Sequence, residues 1–112
     1  MENKYHKTLT PEKWQGFSKE DQILNIAAEF SRAKNGLIDN DEKQVLNCLD
    51  RAFELLDLTI NDSRWRRGLN ELLRLRDVLA QFYISKYKSV DEFKKIFQTL
   101  LMFTKFTSIV KI

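Results

Sequence analysis

Residues 27–60, AAEFSRAKNGLIDNDEKQVLNCLDRAFELLDLTI, decide the fold of this chain. Apolar side chains recur at helical spacing on both sides of a polar break, as Ala27, Phe30, Ala33 and Leu37 before it and Val45, Leu49, Ala52 and Leu56 after it. Asn35-Gly36 offers a helix end suited to left-handed backbone, and Asp39-Asn40-Asp41 supplies a turn and the next cap. A second stripe, Leu46, Phe53 and Ile60, widens the apolar arc of the later helix. A helix with so wide an arc must meet more than one neighbour. The stretch therefore reads as a helical hairpin inside a larger helical packet.

The rest of the chain extends the same pattern. Upstream, Thr10-Pro11-Glu12 places a hydroxyl cap before a proline at the first helical position, where its missing N–H costs nothing. Leu9 and Trp14 are spaced as a hydrophobic staple, and this helix ends near Gly16. Ser18 with Asp21 opens the hairpin's first helix. Downstream, residues 61–63 (NDS) break and recap the chain. A fourth helix then continues to about Ser85, its inner face drawn from Trp65, Leu69, Leu72, Leu73, Leu79, Phe82 and Tyr83. Gly68 inside it costs about 1 kcal/mol relative to alanine and suggests close packing there. Ser89 and Glu92 form a capping box for a last helix that is apolar nearly all round from Ile96 to Ile112. With three glycines and one proline in 112 residues, the turns of a sandwich or barrel are lacking. The expectation is an all-α, antiparallel four-helix bundle with a short extra N-terminal helix, one domain over residues 1–112 with 1–8 frayed.

Composition narrows the function. The single Cys48 admits neither an intrachain disulfide nor a cysteine-based zinc site, and no signal peptide is read at the start, so a cytoplasmic protein is expected. No glycine-rich phosphate loop, nucleophile elbow or HExxH occurs, and no histidine is placed to activate Cys48. The acids Asp50, Glu54 and Asp57 share one helical face, but di-metal bundles need Glu-x-x-His pairs, and the one histidine is His6. The expectation is no catalytic residue, no metal and no cofactor.

Charge is unevenly spread: residues 37–62 sum to −5 and residues 63–112 to +7. Five of the seven arginines lie between 64 and 76. Arg67, Glu71, Arg74 and Asp77 follow the spacing of helical ion pairs, and Asp50, Glu54 and Asp57 offer the preceding helix's acids to the same basic stripe. Arg64 and Arg66 fall in the first helical turn, where cations are disfavoured, and are expected to be left over. With Trp65 able to stack a base, and with Arg67, Lys86 and Lys88, they form the candidate surface for RNA or DNA phosphates.

The C-terminal helix, as read, is too apolar for a small bundle to hide. A symmetric homodimer with Phe97, Leu101, Phe103, Phe106 and Val110 at its interface is the preferred expectation, and a further protein partner is allowed. Lys105 and several hydroxyls interrupt the run, which falls short of the roughly 20 apolar residues of a membrane span, so no membrane association is expected.

Residues 27–60 also resemble the first helical hairpin of HEPN-domain proteins. The shared features are an alanine-rich helix ending in an RAK-like segment (Arg32-Ala33-Lys34), a glycine-containing loop, and a second helix bringing a small residue (Ala52) and an acid (Glu54) to its packing face. The resemblance implies an antiparallel bundle that dimerises and either cleaves RNA or partners a small nucleotidyltransferase. The family's nuclease signature, an arginine followed within a few residues by histidine, is absent, since no histidine follows position 6. The resemblance thus implies a non-catalytic partner protein, and no active-site residue carries over.

Overall fold

The computed structural model describes residues 4–112. Five α-helices appear in order: α1 (Pro11–Gln15), α2 (Lys19–Ile38), α3 (Glu42–Ile60), α4 (Leu69–Ile84) and α5 (Val90–Leu101). Short 3-10 segments at Ser63–Gly68 and Thr107–Ile109 complete the regular structure, and no strand occurs among the described residues.

The caps written in the sequence form as hydrogen bonds. The side chains of Thr10, Ser18, Asp41 and Ser89 accept from the backbone N–H of Lys13, Asp21, Gln44 and Glu92, each satisfying a donor that the first helical turn leaves unpaired. The hairpin turn differs from expectation. Gly36 remains helical, α2 runs on to Ile38, and Asn40 takes the left-handed conformation at φ 55°. Gly36 serves packing instead: a Cβ there would lie 2.9 Å from Val45 Cγ2 and 3.2 Å from Val45 N. The missing side chain lets α2 and α3 approach closely, and Gln44 Nε2 ties the pair by donating to Arg32 O at 3.0 Å.

Around this pair the packing closes in a ring: α2 touches α3 and α5, and α4 touches the same two helices. Phe93 of α5 is the aromatic hub, with ring centroids 5.3 Å from Phe30 on α2, 5.3 Å from Phe82 on α4 and 6.3 Å from Phe97. Such tilted pairs suit the ring quadrupoles. The radius of gyration, 13.4 Å, matches the roughly 13 Å of one compact domain of this length.

Two expected faces shift. The chain enters α4 through the 3-10 segment, which advances by about three residues per turn rather than 3.6 and so resets the helical phase. The buried face of α4 becomes Leu72, Leu75, Leu79 and Phe82, while Leu73 is 41% exposed. Gly68 stands at that junction in ordinary contact with Trp65 (3.9 Å), not in a tight approach. The last helix also ends early, at Leu101. Beyond it the run Thr104–Val110 is rich in β-branched residues, which are mediocre helix formers. Thr107, fully buried, donates its backbone N–H to Thr104 Oγ1 at 3.0 Å and its hydroxyl to Leu101 O at 2.6 Å, folding the chain back over the helix end.

Candidate functional site

The arginines divide differently from the sequence reading. Arg64, expected to be free, is held: its NH2 donates to Asp62 Oδ2 at 2.7 Å and to Phe17 O at 2.9 Å, while its Nε reaches Asp62 Oδ1 at 3.2 Å. Arg76 makes the bridge from α4 to the acid stripe, with Nε 2.7 Å from Asp57 Oδ1 and its guanidinium 5.2 Å from the Phe53 ring centroid. Arg67 and Arg74, expected in that role, make no ion pair among the described residues, and neither does Arg66. Helical phase explains the exchange: Arg76 is two residues, about 200° of helix, round from Arg74 and so points to the side where Asp57 lies.

The other two acids of the stripe face the N-terminal segment. Glu54 accepts from the backbone N–H of Lys4 and Tyr5, each at 2.8 Å, and of His6 at 3.0 Å, with His6 Nδ1 a further 2.8 Å contact. Burial works against its charge, but these donors outweigh it and hold the carboxyl below its usual range. Asp50 accepts from the Tyr5 hydroxyl at 3.2 Å, and its contact with Tyr83 raises that phenol's pKa. Of the segment expected to fray, residues 4–6 bond to α3 through these contacts, and residues 1–3 lie outside the described residues.

Trp65 cannot stack a base. It is 2% exposed, with Lys19 Nζ 4.4 Å from its ring centroid and the Phe103 ring 6.1 Å away edge-on. Its indole N–H donates to Gln22 Oε1 at 2.7 Å. Gln22, itself fully buried, donates both amide hydrogens, to Trp14 O at 2.9 Å and Asp62 Oδ2 at 3.0 Å. Trp14 donates its own indole N–H to Thr59 at 3.1 Å. Gln22, Asp62, Trp14, Trp65 and Thr59 thus form one buried network, closed at the surface by the exposed Arg64, that joins α1, α2, α3 and the 3-10 segment. Arg64, with burial opposing it, draws the Asp62 carboxyl down to about 2, and Gln22 adds to the effect. The sequence gives no periodic signal for this network, because Gln22 reads as a polar first-turn residue.

Lys86 and Lys88 follow α4 at its other end, so the helix's sixteen residues keep them about 24 Å from Arg64–Arg67. Lys88 donates to Ser85 O. The six residues proposed for phosphate contact therefore do not form one cluster. Of the arginines on α4 and its approach, Arg66, Arg67 and Arg74 are the exposed ones with no ion pair among the described residues.

Cys48 is 2% exposed, and burial, reinforced by Glu29, pushes its thiol pKa up against the pull of Arg51 and Arg32. Such a thiol is a poor nucleophile. Glu29 Oε1, 3.1 Å from Arg32 NH1 in poor alignment, is the one buried side-chain polar atom without a hydrogen bond among the described residues. No group of three or more potential metal ligands gathers among the described residues. No helix is long and apolar enough to cross a membrane.

The expected dimer residues separate into two sets. Phe97 and Leu101 are core, at 3% and 2% exposure, which removes them from any interface, and Phe103 is half-buried against Trp65. The reason is that α5 lies across α2 and α4 and hides its apolar side within the subunit. Phe106 and Val110 stay outside at 67% and 42%, joined by Met102 at 69% and Ile109 at 78%, which the sequence reading did not single out. Between α4 and α5 runs a groove of about 340 Å³ floored by Leu75, Val78 and Ile96 and rimmed by Glu71, Arg74 and Lys95. A smaller hollow of about 210 Å³ at Met102 and Phe103 shares Glu71 and Thr99 with it.

Compared with protein-family models, curated proteins and solved structures, the chain matches none.

Proposed function

We propose that this protein is a non-enzymatic interaction module, an antiparallel four-helix bundle with a short extra helix that works as a cytoplasmic homodimer. In this reading it is a HEPN-like partner protein without nuclease chemistry. The bundle reading rests on the closed ring of contacts among α2, α3, α4 and α5. The observation that carries the dimer is the solvent exposure of Met102, Phe106, Ile109 and Val110 within nine residues of chain. Large apolar side chains grouped on a surface mark interaction sites, because covering them removes area from water at about 25 cal/mol per Å². The non-catalytic part is supported by the suppressed Cys48 thiol and by the absorption of Trp65 and Arg64 into the network.

Sedimentation velocity at micromolar concentration tests this. The wild-type chain sediments as a dimer, and more strongly as salt rises, since salt screens repulsion between the Lys105 and Lys111 pairs of two copies. Phe106→Glu sediments as a monomer with unchanged helix content, because Phe106 is not part of the core. A wild-type monomer at every salt concentration refutes the dimer. A second reading, binding of RNA or DNA phosphates, is favoured by the three exposed arginines without ion pairs, Arg66, Arg67 and Arg74. Titration with generic RNA tests it, since phosphate binding weakens steeply as salt rises.

A further inference from the structure

None of the residues lining the groove between α4 and α5 is among the exposed Met102, Phe106, Ile109 and Val110 that carry the dimer. Leu75 and Ile96, nearly buried, make its floor, and Val78, 42% exposed, lies open along its length. From Glu71 to Val78 the α4 wall extends about 10 Å. An apolar trough between two helices is the shape that takes the apolar face of a third helix.

Charge decides what kind of helix. The α5 wall and the chain beyond it carry Lys94, Lys95, Lys105 and Lys111, and no acid occurs from Phe93 to Ile112. On the α4 wall Arg74 makes no ion pair among the described residues, and Glu71 is the single acid in the groove lining. A second copy's tail laid in the groove brings Lys105 and Lys111 against Lys95 and Arg74. A symmetric contact through the groove sets two linings of net charge +1 (Arg74 and Lys95 against Glu71) face to face. Both self-pairings oppose like charges, whereas an acidic helix meets complementary ones. We infer that the α4/α5 groove is a docking site for an amphipathic helix of a different protein, its apolar stripe seated on Leu75, Val78 and Ile96 and its acidic flanks facing Arg74 and Lys95.

Fluorescence anisotropy with the full chain tests this. The probe is a labelled amphipathic peptide of roughly 15 residues, long enough to hold a helical face, with leucines on one stripe and glutamates on both flanks. Control peptides carry lysine in place of glutamate, or serine in place of leucine. The acidic peptide binds about tenfold or more tightly than the lysine peptide, as expected for two or three screened charge contacts. The serine peptide does not bind, and rising salt weakens the acidic complex, the reverse of its effect on the dimer. Lys95→Glu lowers affinity about tenfold and Val78→Glu abolishes it, both at exposed positions that leave the fold intact by circular dichroism. Absence of binding, equal binding of acidic and basic peptides, or generic RNA displacing the acidic peptide overturns the proposal. Loss of binding in Phe106→Glu but not in Val78→Glu also overturns it, by moving the site to the tail. Sedimentation in the same buffers reads the dimer separately, so either proposal can fail alone.

Discussion

Replacing Asp62 by Asn probes the buried network where it is most charged. The carboxylate is 3% exposed and accepts four hydrogen bonds, three from Arg64 and one from Gln22. An asparagine must put its NH2 group either in place of Oδ2, against Gln22 Nε2 and an Arg64 guanidinium N–H, or in place of Oδ1, against the Arg64 backbone N–H and Nε, so two contacts become donor against donor. The electrostatic part follows from the pKa, lowered from an ordinary 3.8 to about 2. At about 1.4 kcal/mol per unit, this corresponds to about 2 kcal/mol of stability. Because the folded-state value is depressed, that stability is fully present above the unfolded value near 3.8 and is lost as pH falls through about 2. Asp62→Asn therefore lowers the unfolding free energy by about 2 kcal/mol at pH 7, and the gap to wild type narrows between pH 4 and pH 2. Urea unfolding followed by tryptophan fluorescence is the assay, since Trp14 and Trp65 both bond within the network. A variant within about 0.5 kcal/mol of wild type at pH 7, or parallel acid losses in both proteins, refutes the reasoning.

Gly36→Ala destabilises by about 1–3 kcal/mol in the same assay, because the new Cβ meets a Val45 side chain that is stiff at χ1 and backbone atoms at 3.2 and 3.3 Å. Stability unchanged within about 0.5 kcal/mol would refute the close approach of α2 and α3 at Gly36. Cys48 in the folded chain reacts with a thiol-specific disulfide reagent far more slowly than in denaturant, owing to its burial and raised pKa. Equal rates in the two conditions would mean that the α2/α3 seam opens readily.

Residues with one local job were legible in the sequence, and residues with a distant partner were not. The caps at Thr10, Ser18, Asp41 and Ser89 need only a backbone N–H three residues on, so their identity and spacing predict them. Gly36 read as a helix end because its real partner, Val45, lies across a turn. Gln22 and Asp62 are forty residues apart and joined by one hydrogen bond, which no periodicity encodes. The candidate surface was partly legible, since Phe106 and Val110 were named, while Met102 and Ile109 were not. Phe97 and Leu101 were assigned outward because the tail was read as one continuous helix.

The sequence by itself therefore determined that the chain is all-α, where four of its helices begin, and that its basic charge gathers in the second half. Each of these depends on side chains acting on their own few neighbours. Tertiary structure alone decided which arginine meets which acid, that Trp65 is walled in, and which phenylalanines of the last segment face water. Those outcomes depend on the phase at which one helix arrives against another. A six-residue 3-10 segment before α4 and an early stop after Leu101 changed that phase without altering the apolar pattern.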